Sequence, residues 1–186
     1  MKRIYLFLLL ITLGSCGIIG GKKYDTIKEN QYTNPAWKTL TMPNFSIQYP
    51  PEWELNQSGK ANTVFILLSP LESDSDTYHE NISLVLEDLK GKHVSLNQYA
   101  SAAELQIKKA VSEAKLLENK NVLAGTLEYH RQIFTGVSDT LHMKFEQNYH
   151  IHDGQVYVFT MACKSNTFKK YEEIGENILN SIVFKK

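Results

Sequence analysis

The sequence is poor in the residues that announce chemistry. It has two cysteines, Cys16 and Cys163, too few for a disulfide-dense scaffold, and if Cys16 carries lipid Cys163 has no partner within the chain. No apolar run approaches the roughly 20 residues that a membrane-spanning helix needs. Basic and acidic residues number 20 each, so the formal charge is zero. No basic patch of the kind that neutralises phosphates stands out, and nucleic acid is not an expected partner. A G-x-S-x-G elbow, a C-x-x-C pair, a P-loop and a G-x-G-x-x-G fingerprint are all missing. His79-Glu80 begins like a zinc-protease motif, but Ser83 stands where the second histidine belongs. Glu72, Asp74, Asp76 and Glu80 alternate through a polar stretch without the glycine that an EF-hand turn requires, and read as a solvated loop.

What the chain does have is a distinctive beginning. Met1-Lys2-Arg3 is a short basic start, residues 4–12 are almost wholly apolar, and Leu13-Gly14-Ser15-Cys16 closes the run with small residues before a cysteine. That is the pattern of a secretory signal, residues 1–15. The Leu-Gly-Ser-Cys ending resembles a bacterial lipobox. The resemblance implies cleavage before Cys16, a diacylglyceryl thioether on its sulfur and acyl chains holding the protein to a membrane. Two or three such chains anchor stably, because each buried methylene contributes ~0.8 kcal/mol and one chain alone is marginal. Gly17 is not the aspartate associated in some bacteria with inner-membrane retention, so the expected location is the outer membrane, facing the periplasm. Residues 16–38, with Gly20-Gly21, Lys22-Lys23 and no clear period, read as a lipidated cysteine and flexible tether.

Residues 39–186 read as one globular domain, since hydrophobic residues make up 42% of the chain and aromatics 11%. Phe45, Ile47 and Tyr49 alternate with polar residues as on a strand, stopped by Pro50-Pro51, and Trp53 is expected to plug an end of the core. Residues 63–69 and 81–89 read as two more strands. Tyr99, Ala103, Ile107, Ala110, Val111, Ala114 and Leu117 then form one apolar stripe over about five helical turns. Ser95 and Gln98 have capping-box spacing at its start. Strands are predicted at 121–135, at 141–151 and at 155–163, the last two joined by Asp153-Gly154, a strong hairpin signal. Cys163 ends the apolar strand 155–163 and reads as a buried, inert thiol. Thr167 is placed to cap a final helix bearing Phe168, Tyr171, Ile174, Ile178, Leu179 and Ile182. The order predicts an α+β domain: a central antiparallel sheet of about six strands flanked by two main helices.

The stretch Phe45-Ser46-Ile47-Gln48-Tyr49-Pro50-Pro51-Glu52-Trp53 resembles the F-x-I-x-Y-P-x-x-W opening of PsbP-like domains. The tail is similar too, from the strand ending at Cys163 through Tyr171, Ile174 and Ile178 to Phe184. The resemblance covers about residues 39–184 and implies α/β/α layers. The family's best-known members are accessory proteins of photosystem II, and related domains occur in bacterial envelope lipoproteins. Its motifs are structural and imply no catalytic residues and no cofactor.

One constellation is suited to chemistry. On the strand 141–151, His142, Lys144, Glu146, Asn148 and His150 share the face opposite the apolar set, and His152 follows in phase. His130 and Glu128 are placed for a neighbouring strand. Imidazoles two residues apart can meet one metal, with Glu146 or Glu128 completing the shell; otherwise these are wet-face residues of a half-exposed sheet. The expected function is therefore a lipid-anchored envelope module, non-catalytic, recognising a protein or envelope component through the residue 72–79 loop or the face around His150. The alternative is a periplasmic small-ligand or metal carrier using His142, His150, His152 and Glu146.

Overall fold

The computed structural model describes residues 26–185. The signal, the lipobox and Cys16 lie outside the described residues. In chain order the elements are β1 (Thr26–Glu29), β2 (Lys38–Thr41), β3 (Phe45–Tyr49), β4 (Glu54–Asn56), β5 (Phe65–Leu68), β6 (Asn81–Asp88), α1 (Leu96–Ala110), β7 (Ser112–Ala124), β8 (Leu127–Ser138), β9 (Leu141–His152), β10 (Gln155–Lys164), α2 (Phe168–Leu179) and β11 (Val183–Phe184). The main sheet runs β1-β7-β8-β9-β10-β6-β5-β4, and a second sheet runs β11-β3-β2. The domain is thus α+β as expected, but the sheet is larger than the six strands anticipated: eight, with three more in a separate sheet. Its strands pair antiparallel except β1, which lies parallel to β7 with Thr26 opposite Asn121. Residues 16–38, read as tether, therefore contain a strand of the domain itself.

The layers follow from alternation. On β10, Tyr157, Phe159, Met161 and Cys163 face a core completed by Phe65 and Leu67 of β5, Phe45 and Ile47 of β3, and Phe168, Ile178 and Leu179 of α2. The intervening residues Val156 and Val158 face the other way, where Tyr99 and Ala103 of α1 meet Tyr149 of β9. A strand covered on both faces has no polar side, which explains why β10 reads as a continuous apolar run. Trp53 closes one end of the first core, edge-on to Tyr171 with centroids 6.4 Å apart. Cys163 is fully buried there, and burial pushes its thiol pKa up.

Local signals set most boundaries. Ser95 and Gln98 form the capping box of α1. Asp153 and Gly154 both have positive φ, 48° and 73°, as the two-residue turn between β9 and β10 demands. Thr167 stands at the N-cap of α2 but makes no cap to its backbone; its hydroxyl instead lies 2.5 Å from Glu80 Oε1.

Two expectations are corrected. The stripe over 99–117 is not one helix: α1 ends at Ala110, and Val111, Ala114 and Leu117 belong to a cap and to β7. The expected strand 121–135 is the end of β7, a turn at Gly125 with φ of 62°, and most of β8. The helix-to-strand corner packs hard on the sheet. A Cβ on Gly136 of β8 would stand 2.2 Å from Val111 Cγ1 and 3.0 Å from the Ser112 carbonyl. Gly136→Ala is therefore expected to destabilise the fold by about 1–3 kcal/mol, the usual cost of overpacking. Urea unfolding checks this; an unchanged midpoint would mean that the corner yields freely.

Candidate functional site

The alternation of β9 puts His142, Glu146, Asn148, His150 and His152 on one face, but that face is covered along most of its length. Tyr157, Phe159 and Met161 of β10 stand beside His150, Asn148 and Glu146 in register. His150 is 2% exposed. Its ring lies 5.0 Å from Tyr129, 5.5 Å from Phe159 and 5.6 Å from Phe184. Burial pushes its pKa down to about 3, so it is neutral at physiological pH. His152 stacks on Phe184 at 4.6 Å and reaches the Lys185 carbonyl at 3.2 Å. His142 is exposed and stands eight strand residues from His150, about 26 Å away. It borders a shallow hollow of about 80 Å³ shared with Glu113, Thr135, Gly136, Val137 and Ser165.

His130 lies on the opposite face of the sheet, paired with Tyr149 in register. Its two ring nitrogens meet the amide oxygens of Asn121 at 2.7 Å and Asn119 at 2.5 Å. Burial holds its pKa near 4, despite the nearby Glu104 carboxylate. Glu128 shares the His130 face, two residues away on β8, but lies at the exposed start of the strand. The histidines therefore do not converge, and no group of three His, Cys, Asp or Glu side chains suited to a metal is found among the described residues. The residue 72–79 loop is likewise engaged within the domain. Asp76 pairs with Lys164 at 2.9 Å, and Glu72 with Lys170 at 3.0 Å. The Lys164 contact draws the Asp76 pKa down to about 2.

What converges instead is a cluster around Arg131. Its side chain is 6% exposed. Its guanidinium lies 2.9 Å from Glu29 of β1, 2.6 Å from Glu118 of β7 and 3.6 Å from Glu176 of α2. Lys120 adds a second cation, 2.8 Å from Glu118. Tyr129 Oη stands 3.0 Å from Glu29 Oε2 and 2.9 Å from Asn180 Oδ1, and the Asn180 amide donates to Glu29 at 3.1 Å. One guanidinium thus holds together β1, β7, β8 and the last helix, using the fork geometry that lysine lacks.

Glu146 completes the group. It is 1% exposed and shares the Arg131 face, since Arg131 pairs with Asn148 in register. Neither of its carboxylate oxygens makes a hydrogen bond of good geometry, although the Asn148 side chain is close enough to draw its pKa down. Burial raises its pKa to about 8, against the opposing pull of Arg131. Glu176 is also raised, first by burial and then by the neighbouring Glu29, Glu172 and Glu118, with Arg131 opposing. In Glu118 burial is outweighed by Lys120 and Arg131, and its pKa is lowered. Sequence reading missed this cluster, yet a signal was present. Beyond Arg3, Arg131 is the only arginine in a lysine-rich chain, and a lone arginine on a strand suits a bridge among several carboxylates.

No family model and no curated relative matches the sequence. Solved structures do. The solution structure of cyanobacterial PsbP (CyanoP) from Synechocystis sp. PCC 6803 is 12% identical, with 93% of this chain and 99% of that one matched at a TM-score of 0.58. LpqN of Mycobacterium tuberculosis, described as involved in cell envelope biogenesis, is 10% identical over 81% of this chain and 91% of its own, at a TM-score of 0.59. A Pseudomonas aeruginosa protein of unknown function is 11% identical over 81% of this chain and 98% of its own, at 0.56. At such identities the likeness is one of fold, and the fold of this chain is PsbP-like.

Proposed function

We propose that this chain is a lipid-anchored envelope accessory module that recognises a protein or envelope component without catalysing a reaction. The observation that carries this reading is the closed histidine face. The strongest chemical constellation in the sequence is packed under Phe159 and Phe184 around a neutral His150, which leaves recognition to the exterior. The signal and lipobox pattern supports an envelope location, as does the fold shared with LpqN. The carrier alternative loses support because His142 lies too far from His150 to share a ligand with it.

Crosslinking in intact cells, with a Cys16→Ala control, tests the proposal. One dominant protein partner, depleted when Cys16 is replaced, is the expected result. Absence of any enriched partner, together with metal retained through purification and lost in His150→Ala, would overturn it in favour of the carrier.

A further inference from the structure

Arg131 stands between two sets of carboxyls. The outer set is Glu29, Glu118 and Glu176, which tie it to β1, β7 and α2. The inner one is Glu146. Arg131 pairs with Asn148 across β8 and β9, so Glu146, two residues before Asn148, is its diagonal neighbour on the same face. Diagonal neighbours stand about 7–8 Å apart, within reach of a long side chain. The guanidinium is held outward by one aligned bond, from Nε to Glu118 at 2.6 Å. Its Nη1 makes none, although Glu29 is 2.9 Å away, and neither Glu146 oxygen makes one of good geometry. Both members of an inner pair are therefore present with bonding capacity to spare.

The two sets differ in their access to water. Glu29, Glu118 and Glu176 keep 22%, 27% and 37% of their side-chain surface exposed, whereas Glu146 is 1% exposed. A partly exposed carboxylate that loses its cation is rehydrated, and a buried one is not. While Glu146 holds its proton the outer set keeps the guanidinium; once Glu146 is ionised, the inner pairing is worth more. Burial opposes the charge of Arg131, and among the carboxylates that sustain it ionised Glu146 pulls hardest, ahead of Glu29 and Glu118. Facing Glu146 are Arg131 and Tyr129 of β8, Cys163 of β10, Glu176 of α2 and Glu29 of β1. Its own strand adds His150 and Lys144 on that face, the latter lying 3.8 Å over the Phe168 ring. Burial drives the Tyr129 hydroxyl and the Cys163 thiol up and His150 down to about 3, so none of these three changes charge near pH 8, where Glu146 does.

We infer that Arg131 is a two-position clasp: ionisation of Glu146 draws the guanidinium inward, away from Glu29 and Glu176, and loosens β1 from the sheet. Glu118 then keeps Lys120, whereas Glu29 is left with its bonds to Tyr129 and Asn180. The fold thus carries a pH-sensitive hold on the strand that follows the expected membrane anchor. The inference goes beyond the accessory-module reading and does not rest on it.

The test is amide hydrogen exchange of the full chain at a series of pH values from 6.5 to 9.5, corrected for the intrinsic chemical rate. β4, the strand at the opposite edge of the sheet, is the internal reference, since edge strands exchange by local opening. Protection of β1 relative to β4 is expected to fall about tenfold, because only β1 loses a hold, with a midpoint near pH 8. In Glu146→Gln, which keeps the shape and cannot ionise, the ratio should stay constant. If that variant does not fold, Glu29→Gln takes its place: β1 should then be equally open at every pH, because the hold that changes is already gone. A constant ratio in the parent would overturn the inference. So would a fall of the same size in either variant.

Discussion

Replacing Arg131 by methionine is expected to cost about 3 kcal/mol of folding stability at neutral pH. Methionine keeps an unbranched stem and removes the charge, so packing along the stem is largely preserved while Glu29, Glu118 and Glu176 lose their shared partner. Breaking a buried ion cluster by removing one member costs ~3–5 kcal/mol, because the remaining charges are left uncompensated. The lower end applies here, since the three carboxylates keep 22–37% of their side-chain surface in water. The loss should be uneven. β1 is a four-residue edge strand, and its Glu29 is held by Arg131, Tyr129 and Asn180. Amide hydrogens of β1 should exchange much faster in the variant while those of β9 and β10 lose protection only in step with global stability. Arg131→Lys should recover little, because an ammonium is a point charge and cannot span three carboxylates in a fixed fork. An unfolding free energy from urea titration within about 0.5 kcal/mol of the parent would mean that the cluster is decorative.

Glu146→Gln should act in the opposite direction. The folded protein raises this carboxyl from 4.5 to about 8, chiefly by burial, so the native state holds a proton that the unfolded chain gives up. Below pH 4.5 both states are protonated and the group carries no penalty. Between the two values stability falls as pH rises, and above about 8 the whole cost of a buried carboxylate, only partly offset by Arg131 and Asn148, is present. Every tenfold difference in proton affinity between folded and unfolded chain corresponds to ~1.4 kcal/mol, so the full effect is on the order of 4 kcal/mol. Glutamine has the shape of the neutral acid. The variant should match the parent near pH 5, exceed it by several kcal/mol at pH 9, and show a flatter profile between them. Denaturant unfolding of both proteins across this range decides the matter. Parallel curves would show that Glu146 is already paired and charged.

Much of the scaffold was legible because its signals are local. The alternation of Phe45, Ile47 and Tyr49, the Asp153-Gly154 turn and the Ser95–Gln98 capping box each depend on residues close in sequence, and each stands where expected. β7 was illegible because Ala110, Val111, Ala114 and Leu117 happen to continue the helical period of α1. Tertiary packing of Val111 against Gly136 decides otherwise. β1, β4 and β11 have two to four residues each, too few to show a period, and exist only as partners of longer strands. The polar face of β9 was read as wet because alternation tells which residues share a face and not what covers it. The Arg131 cluster draws Glu29, Glu118, Glu146 and Glu176 from four separate elements, and no spacing rule reaches across those separations.

The placement of Glu29 has a mechanical meaning. β1 is the first strand after the segment expected to rise from the membrane, and it lies on the sheet in the same direction as β7. A pull from the N-terminal side acts on Thr26, at the end of the strand remote from Glu29, and its backbone pairs to β7 give way in turn until the carboxylate grip of Arg131, Tyr129 and Asn180 is loaded. Tension between bilayer and bound partner would thus be borne at a single ionic clasp rather than spread through the core. The clasp is the last hold on β1 to be loaded, after its pairs with β7.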